Sequence, residues 1–156
     1  MAGWYHVTIV GKDRQSIFGE IIADKMHLNE IGKIVEEEWL KTPAIRSNVE
    51  LDEYVVMPNH LHGIAIINDT RRGVSQYAPT KGFRSPSQSL GAIIRGFKCS
   101  STKRINLTRT TPFRPVWQRG FYEHIIRKDA DLHHIRQYIA NNPMRWCLDG
   151  ENPENF

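Results

Sequence analysis

Cysteine is scarce in this chain. Only Cys99 and Cys147 occur among 156 residues, far apart and in no Cys-x-x-Cys arrangement, which excludes a disulfide scaffold and a thiolate zinc site. Long apolar runs are missing as well: no stretch approaches the roughly 18 residues of a membrane span. The opening Met1-Ala-Gly-Trp-Tyr-His-Val-Thr-Ile-Val has no basic lead-in of the kind that starts a secretory signal. A soluble, cytoplasmic protein with no membrane partner is the expectation.

Acid is also missing from one half. Residues 95–136 carry ten Lys or Arg against three acids, whereas residues 20–53 carry nine acids against four bases. The net charge of +4 and pI near 9.2 therefore understate a polarised molecule whose basic half suits a polyanion, phosphate backbones above all. An ordinary solvated surface is the plainer alternative. At 156 residues and 40% hydrophobic composition the chain suffices for one domain, 1–156, with its own core.

Periodicity orders the elements. Residues 4–10 alternate as a strand. A helix is expected from about Asn29 to Leu40, with Ile31, Ile34, Val35, Trp39 and Leu40 at helical spacing and Thr42-Pro43 ending it. Val49 to Met57 and His60 to Ile67 read as a hairpin turning at Pro58-Asn59. Residues 69–88 have no periodicity and are expected to form a long flexible loop. A second helix spans Ser89 to Leu107, a further strand lies within Phe113 to Ile126, and a last helix, capped by Asp129 or Asp131, runs to Asn141. The fold class is α+β: a ferredoxin-like antiparallel sheet with two helices on one face, plus an additional C-terminal helix.

Two clusters carry chemistry. In His60-Leu61-His62 on a strand, residues i and i+2 project to one face, so the two imidazoles can share a divalent metal. A packed, hydrogen-bonded histidine pair is the bland alternative. Tyr138-Ile-Ala-Asn-Asn142-Pro143 puts a phenol and a carboxamide at i and i+4 on the last helix, about 6 Å apart along its axis. A tyrosine attacks phosphorus only if a cation, base or metal offsets its high pKa, and the first cluster supplies one. Tyr138 could otherwise be a packed edge residue, and Asn142 could be a helix cap rather than a ligand.

Taken together, Tyr54-Val-Val-Met-Pro-Asn-His-Leu-His-Gly63, Trp117-Gln-Arg-Gly-Phe-Tyr-Glu-His124 and Tyr138-Ile-Ala-Asn-Asn-Pro143 resemble the HUH-type single-tyrosine transposases. The likeness is closest to the REP-associated tyrosine transposase subgroup, in which a Tyr-x-x-x-Asn-Pro ending is usual, and it spans about Tyr5 to Trp146. It implies the same ferredoxin-like fold and a catalytic Tyr138. It further implies Mg²⁺ or Mn²⁺ on His60, His62 and Asn142, no nucleotide cofactor, and single-stranded DNA beside a hairpin as substrate. The implied reaction is endonuclease and strand transfer through a 5′-phosphotyrosine. Some members are homodimers that exchange the tyrosine helix and others are monomers. Tyr122 is the alternative nucleophile and Tyr5 a poorer one.

For DNA contact the candidates are Arg95, Lys98, Lys103 and Arg104 along the second helix, with Arg114, Trp117, Arg119, Arg127 and Lys128 beyond it. Phe121 and Tyr122 interleave with these cations as a stacking platform. His124 reads either as a core histidine or as a support for the metal ligands. Two other function classes stay open: a non-catalytic single-stranded nucleic-acid-binding module, and a metal-dependent phosphodiesterase using activated water, in which Tyr138 would be dispensable.

Overall fold

The computed structural model describes residues 3–68 and 89–155. The loop expected over 69–88 lies outside the described residues. Four strands form one antiparallel sheet: β1 (Gly3–Val10), β4 (Val49–Val56), β5 (His60–Ile67) and β6 (Tyr122–Ile126), in the spatial order β4-β5-β1-β6. With α1 (Glu30–Leu40) and α3 (Leu90–Thr108) as crossovers, this is the ferredoxin-like order expected from the periodicity.

Alternation decides what each face of the sheet carries. Val7, Ile9, Leu61, Ala65 and Val56 point to one face, where Ile34, Val35 and Trp39 of α1 and Leu90, Ile94, Phe97 and Ile105 of α3 close the main core. Gly63 lies beneath Trp39, so close that a Cβ there would fall 2.6 Å from the indole. The opposite face carries His60, His62 and Ile64. There Ile64 and Ile126 meet Ile135 and Ile139 of α4 (Asp129–Ala140) in a second, smaller core. Burying Ile139 completely contributes on the order of 1.5–3 kcal/mol to holding α4 on this face.

Element ends follow local chemistry. The Asn29 side chain accepts from the Gly32 amide at 2.9 Å to start α1, and Ser89 accepts from the Ala92 amide at 3.1 Å to start α3. The expected acidic cap of α4 is corrected: Lys128 occupies the cap position with no side-chain bond, and Asp129 and Asp131 lie in the first turn. There they complement the helix dipole.

One hairpin was not anticipated. β2 (Gly19–Ile22) and β3 (Lys25–Leu28) pair through a two-residue turn at Ala23-Asp24, both at positive φ (50° and 62°). That is the geometry normally announced by Asn-Gly or Asp-Gly, and Ala-Asp conceals it. A short helix, α2 (Thr42–Ile45), follows α1 with Pro43 in its first turn. No helix among the described residues is long and apolar enough to cross a membrane.

Candidate active site

The β4–β5 turn and the register of β5 place the two histidines. His60 is wholly buried and His62 nearly so, with ring centroids 4.6 Å apart and planes almost perpendicular. His60 Nδ1 lies 2.7 Å from Asn59 Oδ1. The Asn59 amide nitrogen donates to the carbonyls of Arg14 at 3.1 Å and Glu151 at 2.6 Å, so its oxygen is the atom facing the ring. His60 Nδ1 must therefore carry the proton, and Nε2 keeps its lone pair.

His62 is held in a parallel way by β1. Its Nδ1 lies 2.9 Å from Thr8 Oγ1 and 3.4 Å from His6 Nε2. Thr8 is the register partner of His62, and His6 is the residue two before it on the same face. Fixing one ring nitrogen by a neighbour while presenting the other is how metal-binding histidines are usually oriented.

Three buried polar atoms have no hydrogen-bond partner here: His60 Nε2, His62 Nε2 and Asn142 Oδ1. Leaving such atoms unpaired costs roughly 1–3 kcal/mol each, so an occupant that accepts lone pairs is the physical expectation. His60, His62 and Asp149 also bring ligand atoms within 4.8 Å of one another, with Asp149 Oδ2 3.7 Å from His60 Nε2. Two imidazoles with a carboxylate oxygen make a donor set suited to a divalent first-row cation, and these three residues could hold one.

Electrostatics agree with neutral ligands. Burial lowers His60 to about 4, with Asp149 pulling the other way. Burial lowers His62 well below its ordinary value, assisted by His60 and His6. His6 is lowered to about 4 by burial and by His124, opposed by Asp131. At neutral pH all three rings are uncharged, each with one unprotonated nitrogen.

The last helix delivers the phenol. Tyr138 meets His62 edge-on at 5.3 Å between centroids and His6 at 6.2 Å, while remaining 42% exposed. One turn later Asn142 is buried, its amide nitrogen 3.4 Å from the Tyr138 carbonyl and its oxygen free. Asn141, not Asn142, is the residue that caps α4. Trp146 then stacks on His60 at 6.0 Å.

Of the other candidates, Tyr122 is exposed on β6 opposite Thr8, two strands from His62. Tyr5 packs against the main core. His124 is exposed, its Nε2 2.7 Å from Asp131 Oδ2. Arg95, Lys103, Arg114, Arg119, Arg127 and Lys128 are exposed. Lys98 donates to the carbonyls of Gln118 and Gly120, and Arg104 pairs with Glu37 at 2.8 Å and Glu38 at 3.0 Å, so both cations are engaged within the fold. Trp117 is buried and donates to Ser101 Oγ at 2.9 Å.

Asp149, Asn59, Thr8 and His6 are absent from the sequence-derived site. His6 and Thr8 carry a signal, since they interrupt an otherwise apolar strand at the same i, i+2 spacing as the histidine pair. Asp149 carries none, because only the turns after α4 bring it back to β5.

No family model matches the chain. An uncharacterized protein of Haemophilus influenzae is 38% identical over 155 residues, covering 94% of this chain and 83% of that protein. A REP-associated tyrosine transposase solved with a REP hairpin superimposes with a TM-score of 0.64 at 22% identity, covering 92% of this chain and 68% of that one. A Deinococcus radiodurans protein proposed to be a transposase gives a TM-score of 0.50 at 16% identity, with 90% and 91% covered.

Proposed function

Because the chain belongs to one family with the Haemophilus influenzae protein and has the fold of a REP-associated tyrosine transposase, we propose that it cuts and rejoins single-stranded DNA beside hairpins through Tyr138. One observation carries this reading. A half-exposed phenol from α4 stands against the ring of His62, beside a buried histidine pair whose outward nitrogens are unpaired.

The residues divide the work. His60 and His62, oriented by Asn59 and Thr8, would present Nε2 lone pairs and Asp149 an oxygen, and the buried, unpaired Oδ1 of Asn142 would be a further oxygen ligand. Mg²⁺ or Mn²⁺ held by these residues would supply Lewis-acid polarisation of the scissile phosphate and offset its charge. The Tyr138 oxygen bonds to phosphorus as the bond from phosphorus to the 3′ oxygen breaks. In net terms the phenolic proton ends on that departing oxygen, leaving a 3′-hydroxyl and a 5′-phosphotyrosine. A 3′-hydroxyl reverses the step, and the bond energy retained in the ester removes any need for a nucleotide cofactor.

The phenol stands over histidines of its own chain, so a monomer has a complete set of these residues. Incubating a labelled hairpin oligonucleotide with the protein and Mn²⁺ should give a DNA-linked band that survives denaturation and is absent in Tyr138→Phe. A Tyr138→Phe protein that cuts normally would make this a water-using phosphodiesterase. Binding without cutting by either protein would make it a binding module, although that role leaves the three unpaired buried atoms without a purpose.

A further inference from the structure

α3 and the segment that returns from it to β6 enclose a cleft of about 1160 Å³. It lies on the helical side of the sheet, away from the face that carries His60, His62 and Tyr138. Pockets for small ligands run to roughly 300–1,000 Å³, so this one has room for more than a single compact ligand.

Its lining combines apolar and cationic side chains. The walls include Leu107, 72% exposed, Phe113, 97% exposed, and the half-buried Phe121. Exposed apolar side chains contiguous with a groove mark a binding surface more often than a bare surface. Arg95, Lys103 and Arg119 also line it, all exposed, and none has a partner among the described residues. No acid contributes to the lining. Lys98, which also lines the cleft, and the neighbouring Arg104 are by contrast tied to carbonyls and carboxylates.

We infer that this cleft holds unpaired nucleotides of the DNA substrate, with bases against Leu107, Phe113 and Phe121 and phosphates on Arg95, Lys103 and Arg119. The inference rests on the reading given under Proposed function and adds to it a second site, which grips strand that is not being cut. Bases with a phosphate at every repeat suit a lining of exposed apolar side chains together with free cations, whatever the base. A second copy of the chain fits less well, because a two-fold contact through this patch would bring the three cations of each copy together with no acid in the lining to offset them.

The test uses full-length Tyr138→Phe protein in EDTA, so that neither cutting nor metal enters. Binding of a fluorescein-labelled oligothymidylate of eight residues is compared with that of an abasic strand of equal charge, by anisotropy at several salt concentrations. The thymidylate should bind at least about tenfold tighter, as stacking of one or more bases requires. Phe113→Ala should remove at least about fivefold of that preference, and its near-complete exposure makes the variant safe for folding. Arg95→Ala with Lys103→Ala should weaken both strands alike and flatten the salt dependence.

Equal affinity for the two strands would overturn the inference, as would a Phe113→Ala protein that keeps the full preference. A dimer in sedimentation that Phe113→Ala dissolves would give the cleft to a second copy instead. The two readings fail separately. Base-dependent binding lost in Phe113→Ala, with no covalent adduct from the wild type, sinks the nuclease and keeps the cleft. An adduct with no base-dependent binding does the reverse.

Discussion

The guanidinium of Arg136 on α4 grips the carboxylate of Asp52 on β4 with two hydrogen bonds, Nε to Oδ2 at 2.7 Å and a terminal nitrogen to Oδ1 at 2.9 Å. Arg136 also sits 5.9 Å above the Trp4 ring. This pair ties the helix that carries Tyr138 to the β4 edge of the sheet, two residues from the phenol, while His124 and Asp131 tie it to the β6 edge. Asp52 falls at the irregularity where β4 loses register between Leu51 and Tyr54.

Breaking that tie should cost positioning more than stability, because both groups are partly solvated and such pairs are screened. Asp52→Asn or Arg136→Gln should slow adduct formation by roughly ten- to a hundredfold, the usual cost of a small misplacement of a reacting group, with little change in Tm. The pH dependence has a definite sign. Asp52 is held below its ordinary 3.8, chiefly by the Arg136 hydrogen bond. A depressed carboxylate adds stability that is fully present above the ordinary value and lost as pH falls through the lowered one. The gap in Tm between wild type and Asp52→Asn, small as it is, should therefore be constant at neutral pH and close below 3.8, which thermal melts across pH can read.

Thr8→Val keeps the shape of the side chain and removes the oxygen that fixes His62 Nδ1. Loss of an oriented imidazole typically costs ten- to a hundredfold in metal affinity, so Mn²⁺ titration by calorimetry should show a drop in about that range. Asn59→Asp separates two functions of one residue. It retains an acceptor for His60 Nδ1 while losing the donors to Arg14 and Glu151, so Mn²⁺ affinity should survive and Tm should fall.

Asp149→Ala and Asn142→Ala should each weaken Mn²⁺ binding, measured by calorimetry or by paramagnetic relaxation of water. His60→Ala should abolish it. If Asn142→Ala binds Mn²⁺ as wild type while Asp149→Ala does not, the carboxylate alone is the oxygen ligand and Asn142 is left as a support for the end of α4.

Gly63→Ala tests the packing that seats β5. The added carbon would fall 2.6 Å from the buried Trp39 ring, and overpacking of this kind costs about 1–3 kcal/mol, visible as a lower midpoint in urea. An unchanged midpoint would show that Trp39 can move aside.

Much of this arrangement is legible in the residues. Period-two runs located β1, β4 and β5, and period-3.6 runs located α1, α3 and α4, because each buries one continuous stripe in a core. His60-Leu61-His62 and Tyr138 to Asn142 were legible for the same reason, since spacing alone puts each pair on one face. The β2–β3 hairpin was not, because its strands are only four residues long and its positive-φ turn uses Ala23 and Asp24. Nor was Trp117 as a core residue, since an aromatic between cations reads equally well as a platform until Ser101 is found beneath it. Asp149 depends on how the chain folds back after α4, which no local pattern encodes.

Which protein atom becomes bonded to DNA separates a tyrosine nucleophile from activated water. Protein trapped on a labelled hairpin oligonucleotide with Mn²⁺, digested and mapped by mass spectrometry, should carry a 5′-phosphorylated nucleotide on the peptide containing Tyr138 and on no other. A nucleotide on Tyr122, or cut strands with no nucleotide on any peptide, would contradict it.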